Sequence, residues 1–194
     1  MTGSDFLPRE GEKPLKLVKK SIDARKKSDV HYVCSVDVVL GCDEDSVLKL
    51  LEKKNKAANI KKIVPSSFEI KKPNRLPDTR PVICGFGPAG MFCALLLSRA
   101  GFRPIVLERG GDVDSRTEAV EKFFKTGILD ESTNVQFGEG GAGTFSDGKL
   151  TCGINDERMS YILSQFVHFG ADEDIMYMAK PHIGTDVLRR VVKN

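Results

Sequence analysis

The sequence predicts an α/β protein in two parts, a small α+β unit followed by a βαβ unit built on a parallel sheet. Three observations carry this. A glycine turn, GFGPAG at 85–90, stands between the apolar run PVIC and a helix-patterned segment, and a second apolar run, PIVL, follows at 104–107. An alternating stretch, VHYVCSVDVVL at 30–40, reads as a strand in a separate setting. Between the two lies KKPNRLPDTRP, 71–81, whose three prolines and near absence of apolar side chains sustain neither a ladder nor a helix.

In chain order, residues 1–13 are rich in Gly, Pro and charge and read as a flexible tail, and 14–72 as the small α+β domain. There Val30, Tyr32, Cys34, Val36, Val38 and Leu40 share one face, as in a half-buried strand. Asp43 or Asp45 can cap a following helix, in which Val47, Leu50 and Leu51 fall on one side up to about Lys56. Ile63–Val64 and Phe68–Ile70 suggest one or two further strands. Residues 73–81 form the linker, and 82–194 the second domain.

That second domain opens with a strand at Val82–Cys84. The turn Gly85-Phe86-Gly87-Pro88-Ala89-Gly90 leads into a helix over 88–100, with Met91, Leu95 and Leu96 at helical spacing. A second strand, Pro104–Leu107, ends in Glu108, 23 residues after Gly85. Each part has a physical reason. Gly85 permits the tight turn, Gly87 lets the backbone approach a pyrophosphate, and Gly90 lets the helix press on the sheet; the pyrophosphate then sits at the helix N-terminus. A carboxylate at the end of the second strand accepts the ribose hydroxyls and repels a 2′-phosphate, which selects FAD or NAD over NADP. Strand, turn, helix and acid agree on a Rossmann-like dinucleotide site, where a lone glycine motif would be weak.

Composition bounds the remaining classes. With 40% apolar and 29% charged residues a globular core is within reach. The absence of tryptophan and the presence of three tyrosines leave few stacking platforms, which argues against nucleic acid. Residues 1–80 carry 18 Lys/Arg against 12 Asp/Glu and the remainder 12 against 15, so the net +3 is uneven, but runs such as Arg25-Lys26-Lys27 read first as solvated faces. Five cysteines with no C-x-x-C spacing fit a reducing, cytoplasmic compartment. The polar N-terminus is no signal peptide, and MFCALLL at 91–97 is far too short to span a membrane. Cys152 lacks a nearby partner cysteine and reads as a small core residue before a redox thiol, while His168 and His182 carry no catalytic pattern.

GFGPAG followed by ERG resembles the FAD-binding half of the glutathione-reductase-like and hydroxylase-like flavoproteins. The segments ERGGDVDSRTEAVEKFFKTGILDESTNVQFGEGGAGTFSDGKLTCGIND, AKPHIGTDVLRRVV and SIDARKKSDVHYVCSVDV resemble a family of FAD-dependent dehydrogenases, so the resemblance covers roughly residues 15–194. It implies FAD as cofactor, a small-molecule substrate or electron acceptor, and a second glycine loop on the same cofactor. Gly140, Gly141, Ala142 and Gly143 would bring successive amides toward it. Thr144 and Ser146 would add hydroxyls, and Arg109 and Arg116 would neighbour the phosphates, although an exposed helical position suits Arg116 equally well. Asp147-Gly148 reads as a turn.

After Pro81 two strands are convincing, with Ile175–Met178 a third, whereas a doubly wound sheet needs about five or six. Thr185 reads as an N-cap for a helix with Val187, Leu188, Val191 and Val192 on one stripe, and the sequence ends at Asn194 within it. The expectation is therefore an incomplete FAD-binding domain, C-terminally truncated. A simpler NAD-binding dehydrogenase and an inactive fragment or binding module are the rival readings.

Overall fold

A computed structural model describes residues 15–64, 68–151, 153–154 and 156–194. The expected tail at 1–13 and Cys152 lie outside the described residues. Among those described, the protein is mixed α/β, with five α-helices and two two-stranded sheets. The chain divides into two compact units. The described residues of the first are 15–64 with Met176–Ala179, and the second comprises Phe68–Ile175 and Lys180–Asn194.

In the first unit β1 (Leu15–Asp23) pairs antiparallel with β2 (His31–Val38), from Leu15 opposite Val38 to Asp23 opposite His31. The register shifts between Leu17 and Lys19, a bulge at Val18. Asp23 closes the connection by accepting from the Arg25 N–H at 3.1 Å and pairing with its guanidinium at 2.5 Å. Sequence pattern shows β2 but not the lysine-rich β1. The expected half-burial of β2 is not found: Tyr32, Val36 and Val38 are 59, 50 and 49% exposed. A two-stranded ribbon buries side chains only against its partner strand and leaves both faces open.

Segment 177–179 lies along the outer edge of β1. Lys20 donates to the Tyr177 carbonyl at 2.7 Å and accepts from the Ala179 N–H at 2.9 Å. Ile175–Met178 is thus not a third strand of the parallel sheet; a 3₁₀ turn over Glu173–Met176 ends there instead. α1 (Glu44–Lys53) starts at Asp43, whose carboxylate accepts from the Ser46 N–H at 3.0 Å, and it buries Val47. Residues 61–64 and 68–70 form no strand.

In the second unit β3 (Val82–Cys84) and β4 (Ile105–Leu107) pair in parallel, Ile83 opposite Val106, with α2 (Pro88–Arg99) as the crossover. The unit already begins at Phe68, so the proline-rich stretch belongs to it, and the Arg80 guanidinium donates to the Arg103 carbonyl at 2.6 Å. α3 (Val113–Thr126) and α4 (Arg158–His168) have no counterpart in the sequence reading. Asp112 caps the first through the Ser115 N–H at 2.8 Å, and Gly127 closes it in the left-handed region at φ +71°.

α5 (Thr185–Lys193) begins one residue earlier than expected. Gly184 takes the cap position, and the Thr185 hydroxyl donates to the Ser146 carbonyl at 2.9 Å. The core lies between α4, α5 and the 3₁₀ turn, around Ala171, Ile175, Ile183, Leu188 and Val191. Phe92 of α2 meets Phe166 of α4 edge to face at 5.9 Å, which ties the crossover helix to that core.

Candidate functional site

The first glycine bend continues the β3 ladder by one residue, Gly85 donating to the Leu107 carbonyl at 2.7 Å. Gly85 then turns at φ +92°, a conformation that costs any other residue roughly 1–2 kcal/mol. Gly87 is the N-cap of α2 and Pro88 its first residue, where the missing N–H would have had no helical partner. The amides of Ala89 and Gly90 likewise open the helix without an acceptor in the turn before them. Glycine is obligatory at 90, because a Cβ there would stand 2.0 Å from the Gly85 carbonyl oxygen.

The second bend comes back onto the first. The Gly140 N–H donates to the Phe86 carbonyl at 2.8 Å, and a Cβ on Gly141 would lie 3.1 Å from the Gly87 Cα and 3.2 Å from the Pro88 Cδ. Positive φ at Gly138, Gly140 and Gly141 produces this approach. A 3₁₀ turn over Ala142–Phe145 follows, with Ala142 and Gly143 exposed and Thr144 1% exposed, its hydroxyl oxygen without a hydrogen-bond partner among the described residues.

Glu108 joins the two bends. Its carboxylate accepts from the Phe86 N–H at 2.6 Å and the Gly110 N–H at 2.9 Å. Burial pushes its carboxyl up, but the N–H groups of Gly110, Phe86, Arg109 and Gly138 outweigh that and hold it below the ordinary value of 4.5. A depressed native pKa stabilises the fold fully above that ordinary value, and the contribution is lost as pH falls through the native one. Glu108→Gln is therefore expected to be less stable at neutral pH and to lose less stability than the wild type between about pH 5 and 3. Denaturant midpoints across that range check this, and parallel curves for the two proteins would refute it.

Arg109 is exposed and stacks on Phe137, its guanidinium carbon 4.1 Å from the ring centroid. Arg116 is neither an exposed helical residue nor turned toward a ligand. It is 0% exposed and donates to the carbonyls of Glu139, of Val135 at 3.1 Å and of Asn134 at 3.4 Å. Its Cδ fills the space that a side chain on Gly138 would need, 2.4 Å from a Cβ there. Arg116 and Arg189 both lie over the Phe145 ring, at 4.8 and 5.0 Å. Glu139 in turn accepts from the Val113 N–H at 2.8 Å, at the start of α3. Gly110, Gly138, Glu139 and Phe145 thus shape the site although no motif names them.

The other sequence candidates lie elsewhere. Ser146 turns back to the Gly143 carbonyl at 2.7 Å, His168 meets Phe169 edge to face, and His182 pairs through its backbone with Lys149. Gly148 takes φ +73° in the Asp147-Gly148 turn. Among the described residues no group of His, Cys, Asp or Glu side chains could hold a metal, and no helix is long and apolar enough to cross a membrane. A cleft of about 320 Å³ near Phe92, Leu96 and Tyr161 is apolar, and the charges at it, Asp156 and Arg158, pair with each other at 2.7 Å.

Comparison with known proteins corrects the family expectation. Residues 7–39 match the model of a domain of unknown function, DUF8436. An uncharacterized protein of Clostridium beijerinckii is 47% identical over 191 residues, which are 97% of this chain and 34% of that protein. Neither match is to an FAD-dependent dehydrogenase family, so the resemblance to one is withdrawn. The chain spans about a third of the length of this relative.

Proposed function

We propose that the second unit is a Rossmann-like FAD-binding domain and that the protein acts as an FAD-dependent oxidoreductase, a dehydrogenase. The single observation behind this reading is the meeting of the two glycine bends, Gly87 against Gly141, at the open N-terminus of α2 with Glu108 tied to both. Bare backbone from two loops converging on a helix N-terminus suits a diphosphate, which accepts hydrogen bonds from amides and gains from the positive end of the helix. The residues present fit such a group. Gly143 faces open space, and the first-turn amides of α2 have no acceptor within the helix.

Bound there, FAD would supply the electron transfer while the protein positions it. Gly87, Ala89, Gly90 and the amides of Ala142 and Gly143 would hold the diphosphate, while the Gly141 N–H is spent on the Gly138 carbonyl at 2.8 Å. Glu108 keeps the bends together and, as an anion, disfavours a phosphorylated ribose. Arg116 holds the second bend in shape from behind, and Arg109 braces Phe137. The partner would be a small-molecule substrate or electron acceptor, and the free thiols of Cys34, Cys42, Cys84 and Cys93 suit a reducing cytoplasm.

Titration with FAD, followed by quenching of flavin fluorescence, tests the reading on this chain and on the longer C. beijerinckii protein. Saturable uptake is expected, and indifference of both to FAD overturns it. Gly143→Ala sharpens the test, because a methyl group there meets nothing within 4 Å and the backbone needs no glycine. Its unfolding midpoint is expected to stay put while FAD affinity falls about tenfold, roughly 1.4 kcal/mol. Unchanged affinity would remove Gly143 from the cradle.

A further inference from the structure

One face of the β3–β4 pair is bare. Val82, Ile105 and Leu107 are 56, 37 and 56% exposed and Cys84 is exposed as well, whereas Ile83, on the opposite face, is 7% exposed. Parallel strands occur almost only in sheets covered on both faces. Neither strand has a second neighbour among the described residues, and three-residue strands in a two-stranded sheet do not stand unaided. The strands themselves, VIC and IVL, are apolar at every position, the pattern of a doubly covered sheet.

A second copy of this chain is a poor occupant. Four short side chains fall well below the roughly 800 Å² per partner of a stable interface. The C. beijerinckii relative points to another one, since about two thirds of its length lies outside the match. We propose that the Val82, Cys84, Ile105, Leu107 face is a docking surface for that remaining polypeptide, which covers it with an uncharged apolar layer. The proposal does not depend on the flavin reading.

Cys84 reports on the face directly. Its maleimide labelling rate, located by peptide mass spectrometry and referred to the denatured chain, is compared in two proteins. One is this chain alone, and the other is the C. beijerinckii protein with its matched third replaced by this chain. Cys84 is expected to label freely in the first and at least about tenfold more slowly in the second. Equal rates overturn the proposal, and so does protection in the chain alone with a dimeric mass by light scattering, which would make the occupant a second copy. Leu107→Lys supplies an independent reading: no change in midpoint for the chain alone, and a lowered midpoint in the chimera. Should the chimera not fold, the lysine is placed at the aligned position of the C. beijerinckii protein, where an unchanged midpoint overturns the proposal.

Discussion

Arg116→Ala is expected to destabilise the second unit by roughly 3–5 kcal/mol, the range for removing one partner of a buried charged network. Three part-buried carbonyls, of Asn134, Val135 and Glu139, lose their donor at once, and a polar group left unpaired costs up to about 1–3 kcal/mol when water cannot reach it. The arginine stem also fills the space beside Gly138 and the face of Phe145, so a hole opens behind the second bend. Glu108 and Glu139 lose the cation that faces them. Lysine is no substitute, since one ammonium cannot reach carbonyls at 134, 135 and 139 with the planar fork of a guanidinium. Arg116→Met separates the two contributions by restoring the stem without the donors, and it should recover part of the loss. Denaturant unfolding of the three proteins checks this. A loss below about 1 kcal/mol for alanine would mean that the second bend holds itself.

The βαβ segment was legible because all of its determinants are local. Strand β3 spans Val82–Cys84 as read, α2 begins at Pro88, and β4 falls within Pro104–Leu107. Glycine at 85 and 90 is dictated by one positive φ and one close approach, both inside six residues. β1 is not legible because LKLVKKSID carries three lysines and no clean alternation, and only β2 and segment 177–179 make it a strand. The caps of α3 were in view, Asp112 before it and Gly127 after it, yet its buried arginine was not. Burial of that charge depends on carbonyls 18 to 23 residues further along, which no spacing rule reports. The family resemblance failed for a related reason: a glycine turn with a following acid records the geometry that a strand and helix need, and unrelated families meet that need alike.

Gly90→Ala is expected to cost about 3 kcal/mol or more and to abolish the meeting of the bends. The added methyl would sit 2.0 Å from the Gly85 oxygen and 3.0 Å from its carbonyl carbon. Both are backbone atoms, so no rotamer change relieves the overlap, and overpacking of this kind costs about 1–3 kcal/mol even where side chains can yield. Relief requires α2 to move off the end of β3, which carries Gly87 and Pro88 away from Gly141 and strains the Gly140 N–H bond to Phe86. Gly85→Ala is the control. Its methyl meets nothing within 4 Å, so only the positive φ opposes it, at roughly 1–2 kcal/mol. Thermal or denaturant midpoints should therefore rank wild type above Gly85→Ala and Gly85→Ala above Gly90→Ala, with FAD uptake lost in the last. If the two variants are equally stable, the contact between helix and strand end is not what requires glycine at 90, and the convergence of the two bends rests on the Gly140 bond to Phe86 and on Glu108.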